Sequence, residues 1–237
     1  MGKLRRYCTA LTRYRKSKGF GIHSPFAFNF VLNVLREKAA YYAYADIRER
    51  RNRARHTKRL LQMRKPKMIS EKSARMTFRV ANYFNPQAIL QLGTNYGVSA
   101  YSSLRVSSTS RMWLANCPSG PAAALALLQD MIDRIDVSDT CMEAIRAYES
   151  EAPQGSRYVV VNRIPANEAD AVDRWLRSLA ASEAVVVVRN LQHDETVARL
   201  WRSLLESLNY GMTFSNGKMG IAVLERKLPR QNFQLWF

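Results

Sequence analysis

The chain predicts an α/β fold with a mostly parallel seven-stranded sheet, a C-terminal antiparallel hairpin and a helical N-terminal extension. Three patterns carry that expectation. Short apolar runs alternate with longer amphipathic stretches from Ala88 to Leu208, the rhythm of repeated strand–helix units. The run Ala184-Val-Val-Val-Val188 is apolar at every position, as suits a parallel strand covered on both faces. Near the end, Met212–Ser215 and Met219–Leu224 flank Asn216-Gly217, a dipeptide that favours the backbone angles of a tight hairpin.

The elements follow in chain order. Residues 3–18 are basic, with Leu4, Tyr7, Leu11 and Tyr14 about one turn apart, the pattern of an amphipathic helix. Ser24 and Pro25 suit a helix N-cap and first position, so a helix is expected from Pro25 to about Lys38. Phe26, Phe30 and Val34, together with Phe28, Val31 and Leu35, would give it a broad apolar face. His23, just before the cap, is expected to be a hydrogen-bonded structural residue. Residues 46–67 read as a basic helix ended by Pro66, and a further helix spans Glu71 to Phe84, stopping at Asn85-Pro86. Strands are expected at Ala88–Leu92, Met112–Leu114, Ile135–Val137, Tyr158–Val161 and Ala184–Val188. Helices are expected near Gly97–Arg105, Pro121–Ile132, Asn167–Ala181 and Asp194–Leu208.

Charge is unevenly placed. The net charge is +18, and residues 1–79 hold 22 Lys and Arg against 4 acids, while residues 80–237 balance at 15 and 15. The chain is therefore expected to divide into a basic helical extension, residues 1–79, and a core domain, residues 80–237. Such a field attracts nucleic acid or another polyanion, with Arg48, Arg51, Arg53, Arg55, Lys58 and Arg59 as the candidate contacts. The plainer reading of the same residues is a solvated helix face.

Other classes are poorly supported. Cys8, Cys117 and Cys141 lack metal-ligand spacing and read as reduced thiols of a cytoplasmic protein. No apolar leader core follows the basic start, and no run approaches the roughly 18 apolar residues of a membrane span. There is no phosphate-binding loop, nucleophile elbow or zinc spacing, so no metal is expected. His193-Asp194-Glu195 reads as a helix start, with Asp194 as N-cap.

The most informative stretch is Ala88-Ile-Leu-Gln-Leu-Gly-Thr-Asn-Tyr-Gly-Val-Ser-Ala100. A strand breaks into a glycine turn and reopens as a helix, the place where open α/β sheets bind ligands. Gly93 and Gly97 stand four residues apart, unlike the three-glycine dinucleotide fingerprint. Taken alone, the pattern is also what an ordinary strand-to-helix turn produces.

This arrangement resembles the class I S-adenosylmethionine-dependent methyltransferases, a Rossmann-like family, and more closely a Bacteroidetes-type subfamily of methyltransferase-like proteins. Lys18-Gly-Phe-Gly-Ile-His-Ser-Pro-Phe26, Ile89 through Ser99, and the tail from Met219 to Phe237 carry the resemblance. It implies S-adenosylmethionine as cofactor, with Gly93, Thr94, Asn95 and Gly97 around its methionine portion, Asn116 at the ribose, Asn162 and Arg163 bordering the adenine, and Arg189 and Asn190 lining the transfer site.

The chain departs from the family where carboxylates are usual. Gln91 stands in the first turn, Ala115-Asn116 end strand two, Asn162-Arg163 end strand four and Arg189-Asn190 end strand five. A hydrogen bond to a charged group contributes about 1.5–3 kcal/mol, roughly ten- to a hundredfold in affinity. The expected function is therefore a S-adenosylmethionine-dependent methyltransferase of unknown acceptor, or a catalytically degenerate member of that family. The alternative is a non-enzymatic polyanion-binding module on the same fold.

Overall fold

The computed structural model describes residues 21–62, 67–94, 96–115, 125–152, 155 and 157–237. The helix expected over residues 3–18 and the site candidates Asn95 and Asn116 lie outside them. The basic helix expected to run to Pro66 ends at Leu60 instead, with Gln62 at a positive φ of 49° turning the chain away.

Five parallel strands run β1 (Ala88–Leu92), β2 (Arg111–Ala115), β3 (Ile135–Ser138), β4 (Arg157–Val161) and β5 (Ala184–Arg189). The hairpin β6 (Met212–Ser215) and β7 (Met219–Leu224) closes them, and a further strand, β8 (Gln231–Gln234), follows. The spatial order is β3-β2-β1-β4-β5-β7-β6-β8. β7 is antiparallel to β5 and β6. The sheet therefore has eight strands, one more than expected. The extra strand pairs parallel to β6, Met212 opposite Gln231, and stacks Phe233 on Phe214 with centroids 5.2 Å apart. It covers the edge the hairpin would otherwise leave open.

Alternation along the strands divides the core. Ile89, Met112, Leu114, Tyr158, Val160, Val185 and Val187 face one side. Leu90, Leu92, Trp113, Val159, Val161, Val186 and Val188 face the other. The first side is covered by α1 (Pro25–Phe30), α2 (Ala43–Leu60), α3 (Glu71–Phe84) and α4 (Val98–Leu104). The second is covered by α5 (Cys141–Glu151), α6 (Ala169–Ser178) and α7 (Glu195–Ser207).

Local chemistry explains most helix ends. The Ser24 hydroxyl accepts from the Ala27 N–H, and Ser70 accepts from Ser73. α3 ends as expected, because Asn85 adopts a left-handed conformation (φ 44°) before Pro86. Three expectations are corrected. α1 passes into a π-turn over Val31–Leu35, with the Arg36 N–H donating to Val31 O at 2.9 Å, so the helix ends before Lys38. That turn buries Phe30, Val31, Val34 and Leu35 and leaves Phe28 40% exposed. α5 was not expected. Thr140 and Glu143 form a reciprocal capping box, and Cys141, Ala144, Ile145 and Tyr148 make one buried stripe; the parallel pairing of β4 beside β1 also requires a crossover there. The helix expected over 121–132 lies partly outside the described residues, and Gln129–Arg134 form a 3-10 segment. His23 is exposed. Trp201 is buried, whereas Trp236 is 58% exposed.

Candidate functional site at the carboxyl ends of strands 1, 4 and 5

The sheet reverses its order between β1 and β4, both parallel neighbours in the sheet, the position where open α/β sheets form a ligand crevice. After Leu92 the chain turns through Gly93 (φ 91°) and Gly97 (φ 73°) into α4. The Gly93 N–H donates to Ala115 O at 3.2 Å, and the Gly97 N–H to Thr94 O at 3.0 Å. A Cβ on Gly93 would stand 2.8 Å from Arg163 O and 2.9 Å from Arg163 N. Glycine lets the backbone beyond β4 lie directly against the turn.

Buried amides tie the strand ends together. Gln91 donates Nε2 to Gly93 O at 3.2 Å, and its Oε1 accepts from Ser99 Oγ at 3.3 Å. Asn162 donates Nδ2 to Gly93 O and to Ser99 Oγ, both at 2.8 Å. Its Oδ1 accepts from Arg189 Nη1 at 2.6 Å, and its carbonyl accepts from Asn190 Nδ2 at 2.8 Å. Gly93 O thus receives two side-chain N–H donors, a role a carboxylate at position 91 or 162 could not fill. The neutral residues fit one another here, and Thr94 and Gln91 are fully buried.

Arg189 is the unusual member. It is 4% exposed, and burial pushes its guanidinium down to about 10, so it still carries charge at neutral pH. Asn162 is its hydrogen-bond partner, its Nε has none, and no carboxylate among the described residues pairs with it. Arg163, by contrast, points to an exposed position.

Arg189 and Asn190 form one wall of a cavity of about 230 Å³, also lined by Lys67, Ser70, His193 and Lys218. Lys67 Nζ lies 3.1 Å from His193 Nε2. Sequence reasoning missed Lys67, His193 and Lys218 as site residues. His193 follows β5 by a short loop, and Asp194 beside it does cap α7, accepting from the Val197 N–H at 3.2 Å. Among the described residues no cluster of His, Cys, Asp and Glu could hold a metal ion.

No residue of the basic helix α2 lines this cavity, and the helix spends several of its cations on the protein itself. Arg48 pairs with Glu71 at 3.3 Å, Arg51 donates to Ile69 O at 2.9 Å, Arg53 pairs with Glu49 and Lys58 sits 5.5 Å from the Tyr96 ring centroid. Arg53, Arg55 and Arg59 are exposed.

No family model and no curated protein matches the sequence. Solved structures do match. An O-methyltransferase from Bacillus cereus in complex with SAH superposes with a TM-score of 0.60 at 14% identity, covering 83% of this chain and 96% of that one. The SAH-bound Podospora anserina methyltransferase PaMTH1 gives 0.57 at 12% identity over 87% and 98% of the two chains. TomG, an O-methyltransferase from Streptomyces achromogenes in complex with SAM, gives 0.51 at 17% identity over 83% and 95%. The fold is that of the class I methyltransferases. Within that methyltransferase fold, no described helix is long and apolar enough to cross a membrane.

Proposed function

We propose that the protein is a S-adenosylmethionine-dependent methyltransferase. The observation that carries the reading is the turn from Gly93 to Gly97, opened by two positive φ angles at the switch point between β1 and β4. Support also comes from the fold shared with proteins crystallised with SAH or SAM. The cofactor supplies an electrophilic methyl group when bound. Gly93, Thr94, Asn95 and Gly97 would border its methionine portion, Asn116 the ribose, and Arg163 the rim near the adenine. Gln91 and Asn162 act as positioning residues, since their amides hold Gly93 O. Arg189 and Asn190 face the acceptor side.

The glycines at 93 and 97, both at positive φ, place no side chain on the turn, which suits a ligand lying close to the backbone. The cofactor's amino and sulfonium charges meet no carboxylate at the described ends of β1, β4 and β5. Each charged hydrogen bond forgone lowers affinity roughly ten- to a hundredfold, so binding is weak. Isothermal titration with S-adenosylmethionine and with its demethylated product is expected to give dissociation constants in the high micromolar range. Absence of heat at millimolar ligand overturns the reading. The nearer likeness to the Bacteroidetes-type subfamily rests on the Lys18–Phe26 passage and the tail.

A second reading, a polyanion surface on residues 1–79, is favoured by the exposed Arg53, Arg55 and Arg59 and the local excess of cations. It predicts duplex-DNA affinity falling with salt at a log–log slope of about −0.9 per phosphate contacted. Salt-independent binding, or none, removes it.

A further inference from the structure

The geometry points to an acidic acceptor: the cavity beside β5 binds a small molecule through a carboxylate or phosphate, seated on Arg189 and flanked by Lys67 and Lys218. The inference rests on the methyltransferase reading for the word acceptor, and on the cavity itself for the anion.

The first argument is the isolated charge. A guanidinium taken out of water is costly unless an anion compensates it, and Arg189 is nine-tenths buried with a single amide as partner and an orphaned Nε. Burial lowers its proton affinity without neutralising it at physiological pH. A core residue kept in this state is poised for an anionic partner, and Arg189 is one of the residues that line the cavity.

The second argument is the sign of the lining. Lys67, Arg189 and Lys218 contribute cations, and among the described residues no carboxylate lines the cavity. The carboxylates next in sequence are engaged elsewhere. Glu71, after Ser70, pairs with Arg48 and Arg75. Asp194 caps α7, and Glu195 pairs with Arg202 at 2.6 Å. Ser70 caps the start of α3, its hydroxyl accepting from the Ser73 N–H and donating to Ser73 Oγ, at the helix end where the dipole favours negative charge.

The third argument is size and place. About 230 Å³ corresponds to roughly seven or eight water-sized groups, enough for a small acid. Asn190, the next residue along from Arg189, donates to the same Asn162 that holds the Gly93 turn. The anion site and the proposed cofactor turn therefore share one wall. Arginine suits a forked carboxylate or phosphate better than lysine does, because its planar donors match two oxygens at once.

The test uses the full chain without cofactor. Inorganic phosphate, benzoate and the neutral isostere benzamide are titrated calorimetrically into wild type, Arg189→Met, Arg189→Lys and Lys218→Met, with folding checked by circular dichroism. Wild type is expected to bind phosphate or benzoate saturably and benzamide at least tenfold more weakly. Arg189→Met should weaken the anion about ten- to a hundredfold. Arg189→Lys should recover part of that affinity, and Lys218→Met, an exposed change, should weaken it several-fold. Preference between phosphate and benzoate tells a phosphoryl from a carboxyl ligand. No saturable binding of either anion, equal binding of benzamide, or unchanged affinity in Arg189→Met and Lys218→Met each overturns the proposal. SAH titrated in parallel separates the two readings. Anion binding without SAH binding leaves the anion site and removes its role as an acceptor site, whereas SAH binding without anion binding overturns the anion site and leaves the methyltransferase reading standing.

Discussion

Replacing Gly93 by alanine probes the contact on which the candidate site is built. At φ 91° an L side chain is strained by about 1–2 kcal/mol. The new Cβ would also stand 2.8 Å from Arg163 O and 2.9 Å from Arg163 N, where ordinary contact is 3.4–4 Å. Both neighbours are backbone, so relief requires the ends of β1 and β4 to separate, at an overpacking cost of about 1–3 kcal/mol. The sum is about 2–5 kcal/mol, or a melting temperature lowered by about 4–20 °C in a domain of this size. Gly217→Ala is the control. Its φ is also positive, 83°, but its Cβ would meet only Gln192 Nε2 at 3.9 Å, so it should lose about 1–2 kcal/mol. Chemical denaturation of both variants, with equal slopes, measures the difference. Equal losses would refute the argument that the turn rests directly on the backbone beyond β4.

Further outcomes follow from other buried groups. Gln91→Glu, which restores the acid usual in the resembling family, should destabilise by about 1–3 kcal/mol, since a carboxylate cannot donate to Gly93 O; an unchanged denaturation midpoint would contradict this. Arg189→Met should leave stability near pH 7 within about 1–3 kcal/mol of wild type while weakening anion binding, because removing an uncompensated buried cation is offset by the Asn162 Oδ1 left without its donor; a larger loss would contradict this. Burial holds the folded-state pKa of Arg189 at about 10, well below the usual guanidinium range, so the wild type itself gains stability as pH rises above about 10, where the folded state has shed a proton that the unfolded state retains. Tyr158→Phe should be neutral or stabilising by about 1 kcal/mol, as its buried hydroxyl has no partner; a large loss would reveal a hidden bond. Gly220→Ala should destabilise by about 1–3 kcal/mol, because its Cβ would lie 2.6 Å from the Trp201 ring, and a double-mutant cycle with Trp201→Phe should show coupling.

Local chemistry made much of the fold readable from the chain. β1, β6 and β7 occupy the expected residues, because apolar runs bounded by turn residues carry their own ends. α3 likewise spans Glu71–Phe84 as expected, with Ser70 and Asn85-Pro86 as its stops. α5 was legible too, in the capping box from Thr140 to Glu143 and its stripe from Cys141 to Tyr148, a signal overlooked rather than absent. β8 was not, since Gln231-Asn-Phe-Gln has little strand pattern of its own and becomes a strand by pairing with β6.

At the site, the sequence located the glycine turn and the missing carboxylates, since both are properties of residue type and neighbourhood along the chain. Only the folded chain decided what replaced those acids: two amides converging on Gly93 O and a guanidinium enclosed beside them. Lys67 and His193 meet across 126 positions, and Lys218 joins them from the hairpin. Spacing along a chain cannot report such a meeting, because the distances that decide it are set by how strands and helices stack.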